Sequence, residues 1–320
     1  MARVKLDDDK GEGLKKPSPG GLYFGRPNTT LQFIPSGCKL LDLALGGGWA
    51  RRRIANIVGN RSSGKTLLAI EASANFAFSE PKGIIRYREA ESAFDNQYAQ
   101  ALGFPLDKVD FGDPLETVED LFEDLTKVVV GSKGPELYIV DSLDALSDRN
   151  EMERDIDQGS YGAEKAKKLS QLFRRLVSKL SDKDVTLIIV SQVRDNVGAA
   201  LFAKKYVRSG GRALDFYASQ VVMLNEIKKL KRTISNVERV VGIEVKALLE
   251  KNKVALPYRE AEFPIMFGYG IDDCKACESW LKQTGVSFTK DDSVEDLRCM
   301  VEEKWWAIEQ KFLPTQAKYK

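Results

Sequence analysis

The sequence predicts an α/β protein with a mainly parallel, twisted sheet, and three observations carry that prediction. Four short β-branched runs read as buried strands: IANIV (54–58), GIIRYRE (83–89), LYIVDS (137–142) and VTLIIVSQ (185–192). Helical patterns lie between them, at 65–78, 95–102, 117–129 and 162–180. Strands alternating with helices indicate a parallel sheet covered on both faces. Finally, a glycine-rich phosphate-binding pattern stands between the first strand and the first helix, the context such a loop requires.

Taken in order, residues 1 to about 30 are polar, glycine- and proline-rich (PSPGG, GRPN), and 1–34 read as a flexible arm and a candidate oligomerisation segment. The alternating α/β core is expected over 35–270. After Gln192 the pattern becomes QVVMLNEI, GIEVKALLE and AEFPIMF, read as antiparallel additions at one sheet edge. The charge run Lys228-Lys229-Leu230-Lys231-Arg232 between two of these reads as a solvated turn. From 271 to 320 short helical pieces suggest a small C-terminal domain. Trp305, Ile308 and Phe312 with Val301 make a packing face there.

Composition narrows the chemistry. The 320 residues are 43% hydrophobic and 30% charged, with a net charge of +2, so any nucleic-acid partner must be held by a local patch. Histidine is absent, which excludes Ser-His-Asp and Cys-His catalysis and His-containing zinc sites. Four cysteines, with only Cys274 and Cys277 close together, make no secreted disulfide framework, and i, i+3 cysteines are more often small buried residues than metal ligands. The start of the chain lacks a signal peptide's apolar run, and no stretch is long enough to span a bilayer. A reducing cytoplasm is the expected compartment.

The phosphate-binding pattern is Gly59-Asn60-Arg61-Ser62-Ser63-Gly64-Lys65-Thr66. Glycines let successive N–H groups turn inward on phosphate oxygens, and the following helix presents its positive end. Lys65 would reach the β- and γ-phosphates of ATP, and the Thr66 hydroxyl would ligate Mg2+. Asp141 ends an apolar strand where such proteins carry a second magnesium residue. Without histidine, the group acting on attacking water must be a carboxylate. Glu89 and Glu91 both end the second strand, and the residues alone leave the choice between them open.

SGCKLLDLALGGG, SSGKT, EAESAFDNQYAQALG, YIVDSLDAL, SQVRDNVG, SGGRALDFYAS, EKNKVALP and AEFPIMFGYGI occur in this order across about 35–270. In them the chain resembles the RecA family of bacterial and phage strand-exchange ATPases. The resemblance implies that Glu91 is the catalytic glutamate, that Asp95 and Tyr98 hold adenine, and that Gln192 senses the γ-phosphate. It places Lys251 and Lys253 across a filament interface on a neighbour's ATP. It makes 194–211 the second DNA loop and the segment through Ser160 and Tyr161 the first.

The second loop makes sense physically as well. Lys204, Lys205 and Arg208 offer cations for phosphates and Phe202 and Tyr206 offer rings for bases, docking on a neighbouring subunit being the alternative, while Arg194, Gly210, Gly211 and Arg212 are assigned to DNA through the resemblance. The departures are an arm without the family's amino-terminal helix, Arg61 where an acid is usual, a charge-dense first loop, and an end without an acidic tail. Such a trimmed chain suits a phage-borne member, with Gly21-Leu22-Tyr23-Phe24 as a strand for self-association. The expected function is a DNA-dependent ATPase that forms filaments on single-stranded DNA and pairs it with homologous duplex in recombination and repair. A hexameric helicase or a non-catalytic mediator is the alternative.

Overall fold

The structure, a computed structural model, describes residues 31–91, 94–152, 162–195, 206–208 and 211–314. β1 (Phe33–Ile34) and β2 (Trp49–Ala50) pair across α1 (Lys39–Leu45). The alternating body follows: β3 (Ile54–Gly59), α2 (Lys65–Ser79), β4 (Ile84–Glu89), α3 (Asn96–Ala101), β5 (Val109–Asp110), α4 (Val118–Gly131) and β6 (Glu136–Asp141). It continues through α5 (Arg149–Met152), α6 (Gly162–Asp182), β7 (Val185–Asp195), β8 (Tyr206–Arg208), α7 (Gly211–Tyr217) and β9 (Gln220–Ile234). β10 (Val237–Asn252), β11 (Glu260–Met266), β12 (Gly270–Ile271), α8 (Asp273–Gln283) and α9 (Val294–Phe312) complete the described chain. The main sheet runs β12-β11-β10-β9-β3-β7-β6-β4-β5, with β8 added to β7.

All four expected strands form, and their alternation divides the interior. Ala55 and Ile57 of β3 face a cluster with Leu68, Phe76, Leu41 and Phe263, while Ile54 and Val58 face Leu125, Leu172 and Leu187. The predicted α6 stripe of Leu169, Leu172, Phe173, Leu176 and Leu180 is buried throughout. The helices after 271 join the first cluster through Cys277, Leu281, Leu297, Val301 and Trp305. They are not short pieces. α9 has 19 residues, started by a capping box between Ser293 and Asp296.

Two expectations about the later strands are corrected. β9, which contains QVVMLNEI, pairs parallel with β3, and antiparallel pairing begins only at β10. The α7 crossover brings the chain back over the sheet, so β9 enters in the direction of β3. The charge run 228–232 is not a turn either. It lies inside β9, and the reversal is at Ser235-Asn236, both with positive φ (50° and 61°), which suits a two-residue hairpin. Past Leu224 and before Gly242, β9 and β10 pair only with each other, so both faces meet solvent and no period-2 alternation marks the strand.

Two arginines in the buried β4 run have a structural reason. Arg86 Nε donates to Glu136 at 2.7 Å, and its Nη1 to Asp110 at 2.5 Å. Arg88 donates to Asp124 (2.7 Å) and to the Asp110 carbonyl (2.7 Å), and stacks over Tyr138. These bonds fasten the two-residue edge strand β5 and α4 to the sheet. A Cβ at Gly112, whose φ is 62°, would fall 2.5 Å from the Arg88 guanidinium carbon.

The end of α1 is held by a clamp of two amides from the paired strand ends of β9 and β10. Gln220, fully buried, donates to Leu45 O (3.1 Å) and Gly48 O (2.9 Å) and accepts from Ala50 N (2.9 Å). Its partner in register, Asn252, donates to Leu45 O at 3.0 Å and accepts from Val254 N and Ala255 N. The carbonyls that a helix end leaves unpaired are thus satisfied without water. Replacing Gln220 by leucine keeps the volume and removes the side-chain partner of Gly48 O and Ala50 N, while Leu45 O keeps Asn252. At about 1–3 kcal/mol per stranded group, partly relieved by relaxation, denaturant unfolding should show Gln220→Leu about 3 kcal/mol less stable. A loss below 1 kcal/mol would contradict the clamp.

Candidate active site

β3 ends at Gly59 and α2 begins at Lys65, so the phosphate-binding pattern forms the intervening loop. Its conformation demands glycine at two points. A Cβ on Gly59 would sit 2.5 Å from Ser63 Oγ and 2.8 Å from Leu224 O, and Gly64 has φ 91° with Ile265 against it. Ser62 is also left-handed, at φ 59°. Such a turn points N–H groups into one concavity at the positive end of α2. Ser63 is buried and donates to Asn60 O at 2.9 Å, while Arg61 is exposed. Lys65 Nζ donates to the same carbonyl at 2.6 Å. Burial lowers the Lys65 pKa, and Asp141, Glu91 and Asp144 oppose that shift.

The sheet register brings the remaining groups to the same edge. Gly59 lies beside Gln192 on β7, and Glu89 beside Asp141 on β6. Asp141 is buried, and burial pushes its carboxyl up, while the Tyr87 phenol and the Thr66 hydroxyl pull it down. The oxygens of Thr66 and Asp141 meet at the mouth of the loop, a hard donor pair that fits magnesium.

Glu91 Oε1 accepts from Gln192 Nε2 at 2.8 Å and from the Ser142 hydroxyl. Glu89 instead accepts the Glu91 backbone N–H at 2.8 Å. Gln192 is further fixed by its own N–H, which donates to Asp144 at 2.6 Å. Sequence reasoning did not single out Ser142 and Asp144, although both stand in the YIVDSLDAL segment.

Asp95 caps α3, accepting from Gln97 N (2.9 Å) and Tyr98 N (3.0 Å) through one oxygen. Tyr98, 44% exposed, lines a cleft with 62–67 and with Ile243, Ile265 and Phe267. Those three apolar residues come from β10, β11 and the turn after it, and the sequence reading missed them. The alternation in AEFPIMF was the available signal.

Lys251 and Lys253 do not join this edge. Lys251 pairs with Val221, which pairs with Asn56, toward the start of β3 and away from Gly59. Both ammonium groups donate to the end of α7, at Phe216 O (2.8 and 3.4 Å), although β10 stops at Asn252. Burial, then the neighbouring Lys253, lowers Lys251 to about 8.

Of the expected DNA residues, Arg194 lies in β7, Tyr206 and Arg208 in the antiparallel β8, and Gly211 and Arg212 in α7. Ser160, Tyr161, Phe202, Lys204, Lys205 and Gly210 lie outside the described residues. The cysteines are scattered in environment: Cys277 is buried with Sγ 3.9 Å from Asp273, and Cys299 is exposed.

The RecA N-terminal domain family model matches residues 22–272. Protein RecA of Streptomyces avermitilis is 36% identical over 247 residues, covering 77% of this chain and 63% of that relative. Protein RecA of Borrelia duttonii is 34% identical over 85% of this chain and 72% of its own length. For Salinispora arenicola the figures are 37%, 85% and 74%. The alignment thus spans less than two thirds of the first relative and more than two thirds of the other two.

The cleft wall can be tested directly. Phe267→Ala should weaken nucleotide binding by about 1 kcal/mol, roughly fivefold in Kd, in a fluorescent-nucleotide titration. Phe312→Ala, an exposed ring on α9, should leave it unchanged.

Proposed function

The chain belongs to the RecA family, and from that premise we propose that it is a DNA-dependent ATPase that forms filaments on single-stranded DNA and catalyses homologous pairing and strand exchange. We place it in the cytoplasm, with 35–270 as the ATPase core; no helix among the described residues is long and apolar enough to cross a membrane. The single observation that carries the reading is the carboxyl-edge cluster, in which Gln192 holds Glu91 beside the phosphate-binding loop.

In this reading the loop N–H groups and Lys65 hold the β- and γ-phosphates of ATP. Thr66 and Asp141 would hold Mg2+, which would supply positive charge against the phosphates. Tyr98 and Phe267 flank the base, and Asp95 fixes the turn that carries Tyr98. Glu91 orients the attacking water and takes its proton. Gln192 gives its side-chain N–H to Glu91 in the described state. A γ-phosphate competes for that donor, and because β7 runs on from Gln192 to Asp195 and into the second loop, the exchange biases the DNA-binding segment. Lys251 and Lys253, at the opposite end of the sheet from their own loop, complete the site of the next subunit, where they add positive charge in the transition state.

Electron microscopy with single-stranded DNA and a slowly hydrolysed ATP analogue should show helical filaments; closed rings would favour the helicase. In solution, Lys65→Ala should weaken nucleotide binding. Glu91→Gln should bind nucleotide normally and lose about 100-fold or more in DNA-stimulated turnover. Near-parent turnover would remove Glu91 as the base.

The shared site has its own signature. Lys251 is charged below about pH 8 and neutral above it, so turnover should fall as pH rises through about 8. Lys251→Arg, which keeps its charge, should remain active past that point. Parallel profiles for parent and variant would mean that Lys251 serves only to cap α7.

A further inference from the structure

Tyr87 stands at the centre of β4 with none of its surface exposed, and its hydroxyl donates to Asp141 Oδ2 at 2.7 Å. Its register partner on β6 is Ile139, so Asp141 lies two residues along on the same face, within reach of the phenol. The ring has little freedom. It packs against Phe94 (centroids 4.9 Å apart), edge-on to Phe104 (5.4 Å) and beside Phe111 (6.1 Å). Phe94 immediately precedes Asp95, the cap that carries Tyr98, so the aromatic group links the base end of the cleft to its metal end.

We propose that Tyr87 is a positioning residue for the metal-side carboxylate: its phenol commits one oxygen of Asp141 and leaves the other to face the nucleotide. The inference rests on the reading of Asp141 as a magnesium residue. The physical need is local. Asp141 and the Lys65 ammonium attract one another in a buried setting, and without the phenol only the Thr66 hydroxyl would keep the carboxylate from turning toward the lysine. Tyr87 holds it by Oδ2. Groups that orient a metal residue in this way commonly change metal affinity about 10–100-fold when removed.

Tyr87→Phe keeps the ring and deletes only the donor. The test is the Mg2+ concentration that gives half-maximal binding of a fluorescent ATP analogue, measured beside affinity in chelator and the melting temperature. Tyr87→Phe should raise the Mg2+ requirement about tenfold while metal-free affinity stays within twofold. Phe104→Leu, which loosens the same aromatic group without touching Asp141, should leave the requirement unchanged. Should Tyr87→Phe fold poorly, fluorotyrosine at position 87 keeps the shape and strengthens the donor, and should lower the requirement. An unchanged requirement in Tyr87→Phe, alongside a raised one in Asp141→Asn, would overturn the proposal. So would an equal loss with and without metal, or an equal shift in Phe104→Leu. If Asp141→Asn itself left the Mg2+ response unchanged, the reading of Asp141 would fall first, and Tyr87 with it.

Discussion

Parallel pairing of β3, β7, β6 and β4 sets one level at which the strands end, and the chemistry of the molecule hangs on that level. The bodies of β3, β6 and β7 are buried on both faces and the β4 arginines are paired with neighbouring acids, so the polar groups of the site emerge at strand ends. With Gly59 beside Gln192 and Glu89 beside Asp141, the glycine-rich loop, the buried Asp141 and Gln192 emerge along a single edge. A shift of one residue in either pairing would send half of them to the wrong face.

Concentrating charge at this edge carries a cost that the cluster meets internally. Burial disfavours the Lys65 cation and the Asp141 anion alike, and each is offset by groups of opposite sign or by donors. The arrangement is strained toward a counter-charge. Three carboxylates, those of Asp141, Glu91 and Asp144, lie near the one ammonium of Lys65. Glu91 accepts from two donors of this chain, Ser142 and Gln192, and they set its position.

Much of this was readable from the residues because phosphate binding constrains the backbone itself. Glycine at 59 and 64 is required by contacts under 3 Å, and such constraints appear in sequence as fixed spacing. Strand ends were legible for a related reason, since Asp141 and Gln192 interrupt apolar runs. The residues that act through distant partners were not. Gln220 and Asn252 look like ordinary strand polar residues until they are seen reaching α1, 175 and 207 residues away. Tyr87 reads as one more buried aromatic until Asp141 is placed beside it. The C-terminal helices were underestimated because their apolar positions serve the main core.

Among the described residues, the extension of β9 and β10 beyond the sheet leaves two strands with no outer neighbour, each with a row of open amide and carbonyl groups. Such edges recruit other strands, and a two-stranded ribbon with exposed Ile227, Ile234, Val237 and Val240 is well suited to do so. The run Lys228-Lys229-Leu230-Lys231-Arg232 lies along one of these edges, and Arg232 faces Arg239 across the ribbon. Lys228 and Lys231 are held to Glu244 and Glu238, which ties them to the correct alignment. The density of charge that hides this strand from a pattern search also opposes such pairing: a second copy laid edge to edge would bring like charge against like charge.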